Sequence, residues 1–146
     1  MSKKQVKGVV VTLELFLIAA LFLPAGTVTG ADNPNDRPLS VFGMIDRYSG
    51  MGFSDDARIY TILAFVLPIA IILSVLFIKE RKNFGTGIVL SAFYATAAAC
   101  FFSSAKRKMV DYATLTTLPY LMTIIALVCM LILIIGFLQA APKKND

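Results

Sequence analysis

Residues 118–141, LPYLMTIIALVCMLILIIGFLQAA, run for 24 positions without a charged side chain. A helix of that length rises about 36 Å, enough to cross a hydrocarbon core of about 30 Å. Three further stretches are also long and predominantly apolar: Gly8 to Ala25, which contains Glu14, Ile59 to Ile78 and Phe84 to Ala105. In lipid an isolated apolar stretch must pair its backbone groups internally, which a helix does. The sequence therefore predicts an all-α integral membrane four-helix bundle, with helices over about 8–26, 55–79, 84–105 and 117–141.

Composition agrees with that reading. Of the 146 residues 58% are hydrophobic and 16% charged, against about 25% charge in ordinary soluble domains. Mean hydropathy is +0.77. One transmembrane domain uses nearly the whole chain, because the longest polar segment is too short to count on as a domain of its own. The net charge of +5 resides at the ends of the apolar segments, where anionic headgroups attract it, so nucleic acid is not an expected partner. Cys100 and Cys129 both fall inside apolar stretches, at depths that differ by about 10 Å at helical rise, so no disulfide is expected. The sequence contains no histidine, which removes imidazole as a metal ligand or catalytic base. No cofactor or metal is implied.

The first apolar run also fits a signal peptide, with Lys3, Lys4 and Lys7 ahead of it and small residues at Val28-Thr29-Gly30-Ala31. Glu14 interrupts the run and the cleavage site is not a clean A-x-A, so it is read here as the first membrane helix. The lysines at the start and the Lys79-Glu80-Arg81-Lys82-Asn83 turn place both termini in the cytoplasm of a multi-pass plasma-membrane protein, expected to be bacterial. The Lys106-Arg107-Lys108 cluster falls on the opposite side and opposes this orientation. Contact with anionic headgroups or an acidic partner would accommodate it.

The loop between the first two helices, 27–54, is then extracytoplasmic and about 30 residues long. Its first half, Thr27 to Pro38, is rich in Asn, Asp and Pro and reads as irregular. Val41, Met44, Ile45 and Tyr48 recur at helical spacing and predict a short interfacial helix over 40–49, with a strand paired to Thr27–Thr29 as the rival. Ser54-Asp55-Asp56 reads as the start of the second membrane helix, with two acids on the positive end of its dipole. Pro68, well inside that helix, predicts a kink. Pro119 suits the first turn of the last helix, with Thr116 or Thr117 as its cap.

Two constellations stand out as candidate sites. Gly87, Ser91, Ala95, Ala99 and Ser103 place a small residue at every fourth position of the third helix, a ridge that suits close helix packing within the bundle or across a homodimer seam. Glu14 is the one charged residue deep in an apolar stretch. An acid at such depth costs roughly 2.5 to 3.5 kcal/mol on insertion scales, so it must face protein or water. Ser74, Ser91 and Tyr94 stand at comparable depth as hydroxyl partners. A neutral glutamic acid donating to one of them is the structural reading. A carboxylate that alternates between a proton and a cationic substrate is the functional one.

A first-helix glutamate in a four-helix chain resembles the small multidrug-resistance exporters, which work as dimers around such a residue. Those exporters have short loops and tryptophan near the carboxylate, whereas this chain has the long first loop and no Trp. Claudin-like proteins share a large first outer loop, but their paired loop cysteines and tryptophan are missing here. The residues identify no family. With no H-E-x-x-H, no G-x-S-x-G and no second acid to pair with Glu14, no enzyme is expected. The expected function is that of a non-enzymatic interaction or accessory subunit of a membrane complex, and the alternative is a small proton-coupled transporter acting as a dimer around Glu14.

The orientation is testable by cysteine labelling. With an impermeant thiol reagent on intact cells, a cysteine at Asn35 should react and one at Asn145 should not. The reverse pattern would invert the topology.

Overall fold

The computed structural model describes residues 2–30, 33–77, 81–111 and 113–140. Its elements run α1 (Lys3–Ala20), β1 (Pro24–Gly30), β2 (Asn33–Ser40), α2 (Val41–Gly50), α3 (Ser54–Phe77), α4 (Arg81–Lys108), β3 (Ala113–Leu115) and α5 (Leu118–Gln139). The four long helices pack in a closed circuit, α1 against α3 and α5, and α4 against α3 and α5. The three strands and α2 gather at one end of it.

Three helices, α3, α4 and α5, are long and apolar enough to cross a membrane. Their exposure pattern is the inverse of a water-soluble bundle. On α5 the buried stripe is Met122, Ala126, Cys129, Leu133 and Gly136, at alternating steps of three and four. The faces turned away from it carry Ile124, Leu127, Leu131 and Leu138, all exposed. Large apolar side chains facing outward along several turns require lipid or another apolar surface against them.

The first helix departs from expectation. It begins at Lys3, five residues before the predicted start, and ends at Ala20 rather than near 26. Ser2 explains the early start: its hydroxyl accepts from the Gln5 backbone N–H while the Gln5 side chain accepts from the Ser2 N–H, a reciprocal capping box. Pro24 explains the early end, since its ring fixes φ and it has no N–H to continue a helix. The early start brings Lys3, Lys4 and Lys7 into the helix with Glu14, so α1 lacks the long uncharged run that each of the other three contains.

The chain is also not all-α. Within Thr27 to Pro38, read from sequence as irregular, residues 27–30 and 33–38 lie in antiparallel strands β1 and β2, with Thr27 opposite Pro38 and Val28 opposite Arg37, while 31 and 32 lie outside the described residues. β3 adds to the other side of β1, giving the order β2-β1-β3. Pro34 and Pro38 are compatible with β2 because it is an edge strand, where a missing N–H can face outward. Gly26 allows the close approach of β3, for a Cβ there would lie 2.7 Å from the Thr114 carbonyl oxygen.

Helix boundaries elsewhere shift by smaller amounts. α3 runs without interruption through Pro68. Of the expected basic turn, Arg81, Lys82 and Asn83 form the first residues of α4, while 78–80 lie outside the described residues. α4 continues past Ala105 to Lys108, placing Lys106, Arg107 and Lys108 in its last turn, where cations complement the negative end of the helix dipole. At the start of α5, Thr117 occupies the cap position without a side-chain bond, and the Thr116 hydroxyl accepts weakly from Leu118 N–H at 3.4 Å.

The small-residue ridge divides. Gly87, Ser91 and Ala95 are buried, but Ala99 and Ser103 are exposed, and Ala98, Phe102 and Ala105 take the interior positions. A four-residue step overshoots a 3.6-residue turn by about 40°, so five members of such a ridge cannot share one face of a straight interface. Gly136→Ala should destabilise the protein by about 1 to 3 kcal/mol, because the new Cβ would meet the Phe84 ring at 2.8 Å and Val6 at 2.9 Å. Ala99→Leu should leave stability unchanged. Denaturant unfolding in detergent measures both.

Candidate functional site

The Glu14 side chain is 99% buried, pointing into the four-helix interior from α1. It belongs to the stripe Val6, Val10, Glu14, Leu17, Ala20, whose spacing of three and four sets one face of α1 against α3 and α5. The same periodicity brings Cys129 of α5 and Ser91 of α4 to this level. The Cys129 thiol donates to Glu14 Oε1 at 3.0 Å, and the Ser91 hydroxyl reaches Cys129 Sγ at 3.9 Å. Three helices thus contribute to a short polar relay, Ser91 to Cys129 to Glu14.

This relay lies at a division in the apolar interior. Toward the sheet end the core contains Leu17, Leu67, Tyr94, Ala95 and Ala126. Toward the chain termini it contains Val6, Val10, Ile71, Phe84 and Leu133. On α3 the division falls between Leu67 and Ile71, where Pro68 is buried. Lacking an N–H, Pro68 leaves the Ala64 carbonyl without its usual helical donor.

The relay is incompletely satisfied. Glu14 Oε2 and the hydroxyls of Tyr60 and Tyr94 are buried with no hydrogen-bond partner among the described residues. Tyr94 lies within electrostatic reach of Glu14 on one side and of Tyr60 on the other. These groups extend the polar track from Glu14 toward the sheet end. There the Tyr60 ring stacks on Phe101, with centroids 4.1 Å apart and planes 1° from parallel.

Of the partners expected for Glu14, none bonds to it directly. Ser91 acts through Cys129, Tyr94 stands near without a bond, and Ser74 donates to the Ile71 carbonyl of its own helix at 2.9 Å. The partner that does bond is Cys129, weighed from sequence only as a disulfide candidate. Its signal was available: Cys129 stands at mid-depth in α5, as Glu14 does in α1. Choosing it over three hydroxyl groups required the helix rotations.

A second polar cluster clamps the sheet end. Lys108 Nζ donates to the Tyr48 hydroxyl at 3.0 Å, lies 3.7 Å from Asp56 Oδ2 and sits 3.8 Å above the Phe53 ring. One cation of α4 therefore ties α2 and the start of α3 together. Both ionic groups are exposed enough that the pair itself is worth about 0–1 kcal/mol. Lys106 reaches the Tyr120 hydroxyl at 3.2 Å on α5. These contacts give Lys106 and Lys108 of the basic cluster a physical account within the chain.

Among the described residues no group of three or more His, Cys, Asp and Glu converges as a metal site would require. Comparison with protein-family models, curated proteins and solved structures finds no match to this chain.

Cys129→Ala should destabilise the protein by about 1 to 3 kcal/mol, because it removes the only donor to a buried carboxyl group among the described residues. Adding Glu14→Met should recover part of that loss, since the apolar replacement needs no donor. A double-mutant cycle on unfolding in detergent measures the coupling, and additive effects would show that the thiol does not support Glu14.

Proposed function

We propose that this chain is a four-span, non-enzymatic accessory subunit of a membrane complex, with its sheet and α2 as the surface that meets the partner. The observation that carries this reading is a small sheet, open at both outer edges among the described residues and hydrogen-bonded to the helix end. β2 and β3 each pair only with β1 among the described residues, so both outer edges offer backbone groups to another chain. Several contacts fix the platform. Phe42 N–H donates to the Leu21 carbonyl at 3.0 Å, Thr116 N–H to the Ala25 carbonyl at 2.8 Å, and Lys108 forms its clamp.

The fourth span in this reading is α1. Its 18 residues rise about 27 Å, Val9, Leu15 and Phe16 face outward, and its lysines lie at one end, where headgroups accommodate them. The basic amino end then favours cytoplasmic termini and an outer sheet. The bilayer supplies the outward apolar contact, and Glu14 acts as a neutral internal polar group.

A proton-coupled transporter is the second reading, favoured by the unpartnered Glu14 Oε2 and the two tyrosine hydroxyls beyond it. The two readings differ in what Glu14 must do. Glu14→Gln keeps a donor and an acceptor without charge, so an accessory subunit should assemble and function as the wild type does. A transporter should lose activity with assembly intact.

Photo-crosslinking tests the platform directly. A photoreactive residue at Thr114, exposed on β3, should give a discrete adduct with a second protein in native membranes. The same residue at Leu127, on the outward face of α5, should not. Adducts from Thr114 only to another copy of this chain, or none, would overturn the accessory-subunit reading.

A further inference from the structure

We infer that the cleft between α2 and α3 binds one phospholipid with a zwitterionic ethanolamine headgroup. The cleft has a volume of about 590 Å³. Ile45, Ala57 and Ile62 form its apolar lining, Phe42 and Thr61 stand beside them, and Asp46 and Arg58 supply one charge of each sign. Neither charged side chain makes an ion pair or hydrogen bond with any described residue. Asp56, the acid two residues before Arg58, is drawn to Lys108 instead.

The position of the cleft on α3 identifies the class of ligand. Arg58 is the last charged residue before the apolar run of α3, so it marks the level where hydrocarbon gives way to headgroups. From it a line of exposed apolar side chains descends the same helix face: Ile62, Val66, Ile69, Leu73 and Leu76. Steps of three and four keep them in one stripe. From Ile62 to Leu73 the stripe covers about 16 Å at helical rise, close to the depth of one leaflet. A charged head position continuous with an apolar track one leaflet long has the proportions of a lipid.

The headgroup follows from the two charges. A guanidinium presents paired N–H donors that match phosphate oxygens, so Arg58 holds the phosphodiester. Asp46 accepts hydrogen bonds from a primary ammonium. A choline headgroup has no N–H to donate, and an anionic headgroup would bring a second negative charge toward Asp46. This assignment rests on α3 spanning the bilayer and is independent of any protein partner at the sheet.

Native mass spectrometry of the full chain in detergent tests it, using phosphatidylethanolamine, phosphatidylcholine and phosphatidylglycerol of identical acyl chains. Wild type should retain one phosphatidylethanolamine at least about fivefold more than either competitor. Arg58→Gln should reduce that retention about tenfold, and Asp46→Asn should abolish the preference over phosphatidylglycerol. Arg107→Gln, which removes the same charge from the end of α4, should change nothing. Both cleft side chains are exposed and have no partner among the described residues, so their variants should melt as the wild type does. Equal retention of the three lipids by wild type, or retention unaffected by Arg58→Gln, would overturn the proposal.

Discussion

The seam between α4 and α5 is the contact on which the rest of the fold depends. Leu133 of α5 lies against Gly87 of α4, where a Cβ would meet it at 3.1 Å, and Phe84 of α4 lies against Gly136 of α5. Each helix offers a glycine hollow to the other's large side chain, and Ser91 meets Cys129 one layer away. Between helices surrounded by lipid, apolar burial brings little gain, so such dispersion contacts carry the association. Val6 of α1 also reaches the hollow at Gly136. The same glycine therefore positions the helix that delivers Glu14.

From that seam the interior divides into two apolar clusters with a polar level between them. A carboxyl group bonded through one oxygen to a thiol is weakly satisfied, and a buried polar group with an unfilled bond typically costs about 1 to 3 kcal/mol. Such groups are uncommon in native interiors and draw attention to what they do. In the accessory-subunit reading Glu14 fixes the rotation of α1 against α5, since only one face of α1 can bring an acid to Cys129. In the transporter reading the unfilled oxygen is the working atom. Both depend on the same local fact: one donor among the described residues, Cys129 on a neighbouring helix.

The sheet end has a different logic. Polar backbone leaves the helices at Pro24 and returns through Ser40, whose hydroxyl accepts from Gly43 N–H and starts α2. Aromatic side chains then join the strands' end of the molecule to the bundle, with Tyr48 in contact with Phe53 and Phe101, and Tyr60 stacked on Phe101. Lys108 covers this cluster from the end of α4. The lipid cleft opens on another side of α2, so the short helix serves both as a brace for the platform and as one wall of a binding surface.

The apolar runs of α3, α4 and α5 were legible from composition and length because hydrocarbon thickness is a fixed constraint, and nothing in the tertiary structure had to be known. Glu14 was equally legible as a buried polar group, because a charge within an apolar run has few places to go. The hairpin was not, since Asn, Asp and Pro on an edge strand resemble a loop until β1 is beside them. Nor was the partner of Glu14. Depth along a helix follows from residue count, but the choice among Ser74, Ser91, Tyr94 and Cys129 depends on how each helix is rotated about its axis. That rotation is set by side chains interlocking between helices far apart in sequence, such as Leu133 in the hollow at Gly87. Sequence by itself determined which segments seek lipid and how deep each residue lies. Only the tertiary structure decided which residues at one depth face each other, because packing between helices is a property of pairs of surfaces and not of either strand of sequence alone.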